Sequence, residues 1–344
     1  MRAPSIKDVA RESGVSYKTV SRVVNGDEAN VGAATRQKVQ EVIATLGYRP
    51  HHGARSLRSG RTQTLRLIVT TGSERFLANP YQDDVVAGVS DTASDRGYGV
   101  LLELVRRETS APPPGLVERR VDGTILLDSR LPQPLLVPTL RESGAPCVVL
   151  ANRDVDPALG WIDADFRGGA ERLVRHLLDL DHRRIAHLTD DPAYRSSQAR
   201  RTGYEQSLTA AGIAPDPGLI VMAGHLREHG AVAAAELLAR RSDFTAMFCV
   251  NDLTALGAIE CLRYHGIRVP DDVSVTGYDD IAMARYATPS LTTVRLPWYE
   301  MGAAAVEMVV GAVEGQRPFP EGREFAVELC LRDSTAPAHA STHF

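Results

Sequence analysis

The first 47 residues carry three short helical patterns, and only the turn Gly14-Val15-Ser16 separates the first two. The first pattern runs from Ser5 to about Ser13. Ser5 can cap it, Asp8 sits three residues on near the positive end of the helix dipole, and Ile6, Val9 and Ala10 share one face. Gly14 breaks this helix, and Ser16 can cap a second, Tyr17 to about Asn25, with Val20, Val23 and Val24 inward. A third runs from about Ala34 to Leu46, with Val39, Val42, Ile43 and Leu46 inward and Gly47 as its stop. Two helices joined this tightly make a helix-turn-helix, whose second helix enters a DNA major groove. Burying the valines should turn Tyr17, Lys18, Ser21 and Arg22 outward. Arg22 can donate twice to a guanine edge, Lys18 once, and Tyr17 can meet base or phosphate, while Ser16, Thr19 and Ser21 suit phosphate oxygens. A three-helix bundle with an ordinary solvated face would show the same periodicity.

Charge separates these readings only in part. The 344 residues have a net charge of −4, yet residues 1–61 hold eleven Lys and Arg against five Asp and Glu, leaving the remainder at −10. A basic head on an acidic body fits a head that meets phosphates. The four cysteines, Cys147, Cys249, Cys261 and Cys330, have no CxxC or histidine spacing, so reduced thiols are expected and no metal or cofactor is implied. No apolar run approaches a membrane span, and no apolar stretch near Met1 suggests a signal peptide, so a cytoplasmic location is expected. Gly-x-Ser-x-Gly, HExxH and P-loop motifs are missing, which argues against an enzyme.

Residue by residue, Ser5-Ile6-Lys7-Asp8-Val9-Ala10, then Gly14 through Asn25, then Thr35-Arg36, Val39 and Leu46-Gly47-Tyr48-Arg49-Pro50, resemble the head of the LacI/GalR family of bacterial repressors. The resemblance implies Tyr17, Lys18 and Arg22 as the principal base readers, with Asn25 at the end of the reading helix. Gly32 stands where the family often has a serine cap. Residues 50–62 resemble the family's hinge helix, which orders on DNA. Leu57 matches the leucine that wedges into the minor groove, Ala54 shares its face, and Arg55 and Arg58 reach phosphates. His51 and Gly53 depart from the pattern, and Gly53 costs about 1 kcal/mol of helix propensity relative to alanine.

From Leu65 on, apolar runs alternate with helical stretches. Strands are expected at 65–70, 99–104, 123–127, 146–151, 184–188, 246–250 and 274–278, with helices such as 169–178 and 253–264 between them. The expected fold is a small all-α helix-turn-helix head on an α/β body: two subdomains with parallel sheets, periplasmic-binding-protein-like, and a ligand cleft at the strand ends. The division expected is 1–49 for the head, 50–62 for the hinge, 63–335 for the body and 336–344 for a flexible tail. Segments such as Arg200-Arg201-Thr202-Gly203-Tyr204, Asn251-Asp252 and Gly277-Tyr278-Asp279-Asp280 carry the resemblance through the body. It implies effector contacts at Asp165, Arg200, His225, Asn251 and Asp279, a set suited to a sugar: carboxylates accept from hydroxyls, Arg and Asn donate, and His225 takes the place of a stacking aromatic. Capping of helices at strand ends is the competing role for these residues. Phe166, Asp181, the proline-rich 108–116 and the long loop 72–81 depart from the family's pattern. Without leucine heptads in the tail, a homodimer on palindromic operator DNA is expected, released by a sugar. A corepressor-dependent, purine-like regulator and an effector-independent one remain open. The 6% aromatic content counts weakly against the purine-like form, and the missing signal peptide against a sugar-transport protein.

Overall fold

The computed structural model describes residues 4–24, 31–49, 60–71, 79–106, 116, 120–127, 130 and 136–339. The chain forms two compact units, Met1–Gln63 and Thr64–Phe344.

The first unit holds α1 (Ile6–Ser13), α2 (Tyr17–Val24) and α3 (Ala33–Leu46). Val9, Val20, Val39 and Tyr48 close its core, and Ile6, Val15, Val23, Val42 and Leu46 pack around them. The Ser5 backbone N–H donates to Asp8 Oδ2 at 2.9 Å, so the first helix starts where the sequence placed its cap. Gly14 ends that helix at φ +65°, a conformation that a side chain would strain, and this makes the sharp turn possible. Ser16 Oγ then accepts from the Thr19 N–H at 3.1 Å and caps α2.

The second unit contains two parallel sheets. The first lobe's sheet has β1 (Thr64–Thr71), β2 (Gly99–Arg106), β3 (Gly123–Leu127), β4 (Cys147–Leu150), β5 (Gly160–Ala164) and β11 (Gly322–Phe325), in the order β11-β5-β4-β3-β1-β2. The second lobe's sheet has β6 (Ile185–Thr189), β7 (Ile220–Met222), β8 (Ala246–Cys249) and β9 (Ser274–Thr276), in the order β7-β6-β8-β9. The antiparallel pair β10 (Thr293–Arg295) and β12 (Glu328–Cys330) forms a small separate ladder. The helices are α4 (Tyr81–Asp95), α5 (Leu136–Glu142), α6 (Phe166–Asp179), α7 (Arg195–Ala210), α8 (Arg227–Arg240), α9 (Asp252–Tyr264), α10 (Ala282–Tyr286) and α11 (Trp298–Val313).

All seven strands expected from the sequence form. The sequence reading did not find β5, β7 and β10–β12, which are short and interrupted by polar residues such as Asp163. The strand expected to reach Tyr278 stops at Thr276, because Asp279 and Asp280 adopt φ of +113° and +56° and turn the chain out of the ladder. The tail expected to be flexible from 336 is docked further along. The Ala336 N–H donates to Ser274 Oγ at 3.0 Å, and the Ala338 N–H to the Leu180 carbonyl at 2.8 Å. Among the described residues, no helix is long and apolar enough to cross a membrane.

Candidate functional site

In the head, helix rotation decides which residues face outward. Lys18 and Arg22 lie two residues either side of Val20, about 160° around the helix from it, so burying Val20 presents both on the opposite face. Lys18 is exposed, and Tyr17, at the first helical position, is 55% exposed. Ser21 corrects the sequence reading. It sits about 60° from Val24 and is buried at 7% exposure, on the margin of the apolar face instead of the outer one. Ser16 and Thr19 are joined hydroxyl to hydroxyl at 2.9 Å at the helix start. Asn25, Ala54, Arg55 and Leu57 lie outside the described residues.

In the body, Arg200 and Asp279 come together. Arg200, on α7, is buried with its guanidinium 5.0 Å from the centre of the Tyr278 ring and 5.5 Å from that of Phe166. It makes a long contact of 3.5 Å with Ser196 Oγ, and its Nε has no hydrogen-bond partner among the described residues. Tyr278 is itself fixed: its hydroxyl donates to the Phe166 carbonyl at 3.0 Å, and a Cβ on Gly169 would fall 2.1 Å from that hydroxyl. Burial pushes Asp279 up to about 7, with Arg200 working in the opposite direction. The buried Trp298 indole also faces this carboxyl and works with Arg200 to lower it. Tyr81 packs on Trp298 with ring centres 4.5 Å apart, and Phe166 lies 6.2 Å from Trp298. Here a buried cation with an unspent Nε–H and a buried carboxylate are walled by four aromatic rings. Such a site can orient a ring-shaped ligand that carries hydroxyl or amide groups.

The other three expected effector residues each hold a partner within the body. Asp165 caps α6, its Oδ1 accepting from the Gly168 N–H at 2.8 Å. Asn251 caps α9, its Oδ1 accepting from the Thr254 N–H at 2.8 Å, while its Nδ2 donates to the His225 carbonyl at 2.9 Å. These are the capping roles that the sequence left open. His225 is held by Asp190, Nδ1 to Oδ2 at 3.0 Å, and meets the Tyr194 ring edge-on at 5.0 Å.

The sequence reading missed Tyr81, Tyr194 and Trp298, and took Phe166 only as a departure from the family's pattern. A whole-chain aromatic fraction does not report where rings gather, and here several of them gather at Arg200. It also missed Asp280. Burial works to raise this carboxyl, but hydrogen bonds from Arg295, Arg332 and Arg285 hold it below the ordinary carboxylate range. Two adjacent aspartates are thus driven in opposite directions, one into the cleft and one into an arginine cage that pins the turn carrying both.

Among the described residues no cluster of His, Cys, Asp and Glu is arranged to hold a metal ion, and the four cysteines are buried free thiols.

Comparison with known proteins places both units. The description "Bacterial regulatory proteins, lacI family" matches residues 5–51, and "Periplasmic binding protein-like domain" matches residues 174–335. The chain is 34% identical to the HTH-type transcriptional regulator CelR of Thermobifida fusca, over 97% of this chain and 98% of that protein. It superposes on the lac repressor dimer bound to operator and the anti-inducer ONPF with a TM-score of 0.83 and 28% identity, covering 97% of this chain and all of that one. The CelR–cellobiose complex gives a TM-score of 0.74 at 32% identity, covering 96% and 99%. The chain therefore belongs to the LacI family: it is a DNA-binding transcriptional regulator, not an enzyme, with a helix-turn-helix head and a periplasmic-binding-protein-like effector body.

Proposed function

We propose that this regulator is a cytoplasmic repressor that binds a palindromic operator as a homodimer and is released when a sugar enters the cleft. The observation that carries the effector half is that buried Arg200 and Asp279, which feel each other's charge, share a pocket with Tyr81, Phe166, Tyr278 and Trp298. Aromatic faces cover the apolar face of a pyranose, and the two buried charges exchange hydrogen bonds with its hydroxyls. A solved relative holds cellobiose, which makes that disaccharide the first compound to test. On the DNA side, Tyr17, Lys18 and Arg22 read bases and Ser16 and Thr19 meet phosphates, with Asn25 at the helix end. Arg55 neutralises a phosphate, and Ala54 and Leu57 enter the minor groove from the hinge. The second copy seats against the groove of about 400 Å³ beside α9 and α10, where Met283 and Tyr286 stand exposed.

The aromatic density of the cleft also favours a second reading, a flat nucleobase that acts as corepressor. One experiment separates the two. A thermal-shift screen of sugars and nucleobases identifies the effector, and operator affinity is then measured with and without it. A sugar that weakens operator binding supports induction, and a base that strengthens it supports corepression. If no sugar stabilises the body, the inducer reading fails. In the hinge, Gly53→Ala should raise operator affinity at fixed salt, and unchanged affinity would remove the idea that Gly53 weakens the hinge helix.

A further inference from the structure

A line of polar contacts joins the two lobes along one side of the body. Three neighbouring strands of the first lobe, β5, β4 and β3, each present a residue at or beyond their ends to the same five-residue stretch of the second lobe, 191–195, which links β6 to α7. On β5, fully buried Asp163 accepts from Arg195 Nη1 at 2.5 Å through its Oδ2. Beyond β4, Asp154 accepts from Arg195 Nε at 2.8 Å. Beyond β3, Arg130 pairs with Asp191, lies over the Tyr194 ring at 5.0 Å and forms a β-bridge with Tyr194. Asn152 Nδ2 ties the Arg130 carbonyl to β4's end at 3.3 Å. Each lobe thus offers an arginine to the other lobe's aspartate.

Every one of these contacts is protein to protein. Separating the lobes would take Arg195 from buried Asp163 and leave it, among the described residues, only the half-exposed Arg153 of its own lobe, 3.9 Å away, as a countercharge. It would also take both carboxylates from Arg195. Breaking a buried pair in this way is far costlier than breaking an exposed one. We propose that the 191–195 stretch is a latch that biases the lobes towards closure on its own, with Asp163–Arg195 as its strongest contact. An effector then resets an equilibrium already biased, and it can do so only by its differential affinity for the two states. The proposal goes beyond the effector assignment and would hold equally for a regulator without one.

The test uses the full chain with donor and acceptor dyes at Glu142→Cys and Thr209→Cys, both exposed, one in each lobe. Single-molecule energy transfer on sparsely labelled dimers then reads the closed-to-open ratio. Arg195→Gln should lower that ratio on the order of 100-fold. Asp163→Asn added to Arg195→Gln should recover part of the loss, because it removes the stranded charge. Wild-type distances in folded Arg195→Gln would overturn the latch. If that variant does not fold, the double variant Asp154→Asn/Asp191→Asn alters two partly exposed carboxylates and should lower the ratio several-fold, and an unchanged ratio there overturns the proposal. Operator binding measured on the same samples keeps the two claims apart. Shifted distances with unshifted operator binding uphold the latch and sink the coupling of lobe closure to DNA.

Discussion

The head draws its expected base readers, Tyr17, Lys18 and Arg22, from one eight-residue helix, whereas the cleft gathers Tyr81, Phe166, Arg200, Tyr278, Asp279 and Trp298 from segments spread across the body. In the head, a residue's direction follows from helix rotation and the position of one buried valine. In the body, polar residues at strand ends also hydrogen-bond the backbone, and Asp165 and Asn251 each give an oxygen to a helix cap. A polar side chain on a solvated helix face is free to meet a partner, while the same residue type at a strand–helix junction serves the fold first.

The largest expected effect tests the cleft side. Arg200→Met removes both the guanidinium that lies over the Phe166 and Tyr278 rings and the positive charge that opposes the burial of Asp279, and should cost about 3 kcal/mol of body stability at pH 8, and less near pH 5.5, where Asp279 carries a proton. The sign follows from linkage. Asp279 binds its proton more tightly folded than unfolded, so the stability it contributes is complete below pH ~4 and is lost as pH rises through about 7. Buried His182 and His187, both pushed down to about 4 chiefly by burial, act in the opposite direction, adding stability as pH rises from about 4 to about 6.5. The difference between wild type and Asp279→Asn isolates the aspartate: in urea titrations the variant should gain on the wild type as pH rises from 5.5 to 8. A constant difference would break the view that the cleft stores an unspent charge.

Next in size is the head. Arg22→Ala and Lys18→Ala should each weaken specific operator binding by about 1–3 kcal/mol, read by fluorescence anisotropy at fixed salt, with non-specific binding reduced far less. Ser21→Ala should leave operator affinity within about threefold, because its side chain is buried. A loss as large as that of Arg22→Ala would break the rotational argument. Smaller again, Asn251→Ala and Asp165→Ala should each lower body stability by about 1 kcal/mol through loss of a cap. If Asp165→Ala abolished effector binding with stability unchanged, the contrast between the two surfaces would weaken. The smallest effect is in the head: Gly32 caps α3 without a side chain at φ −60°, with open space around it. Gly32→Ser should slow hydrogen exchange in the first turn of that helix, a gain of a few tenths of a kcal/mol.

These contrasts explain what was legible in the sequence. Ser5, Gly14, Ser16 and Gly47 announce the ends of the head's helices because caps and left-handed turns are local events. The seven apolar strand runs were equally plain. Strand β5 was hidden because Asp163 interrupts it, and a buried aspartate reads as a strand residue only once Arg195, thirty-two positions on, is beside it. Arg200 and Asp279 were found by resemblance, but the rings around them were not. Periodicity marks Phe166, Tyr278 and Trp298 as apolar, and only the tertiary fold sets them around one guanidinium.

The central claim is that the outer face of α2 selects DNA and the body's cleft controls that selection. Its most direct test is selection of duplexes from a random library by the full-length protein, followed by affinity measurement on the enriched site with the effector found by thermal shift. The account predicts one enriched site with two-fold symmetry, lost in Arg22→Ala, and a change of at least tenfold in affinity on adding the effector that disappears in Arg200→Met. Enrichment of an asymmetric site, or an effector response that survives Arg200→Met, would contradict it.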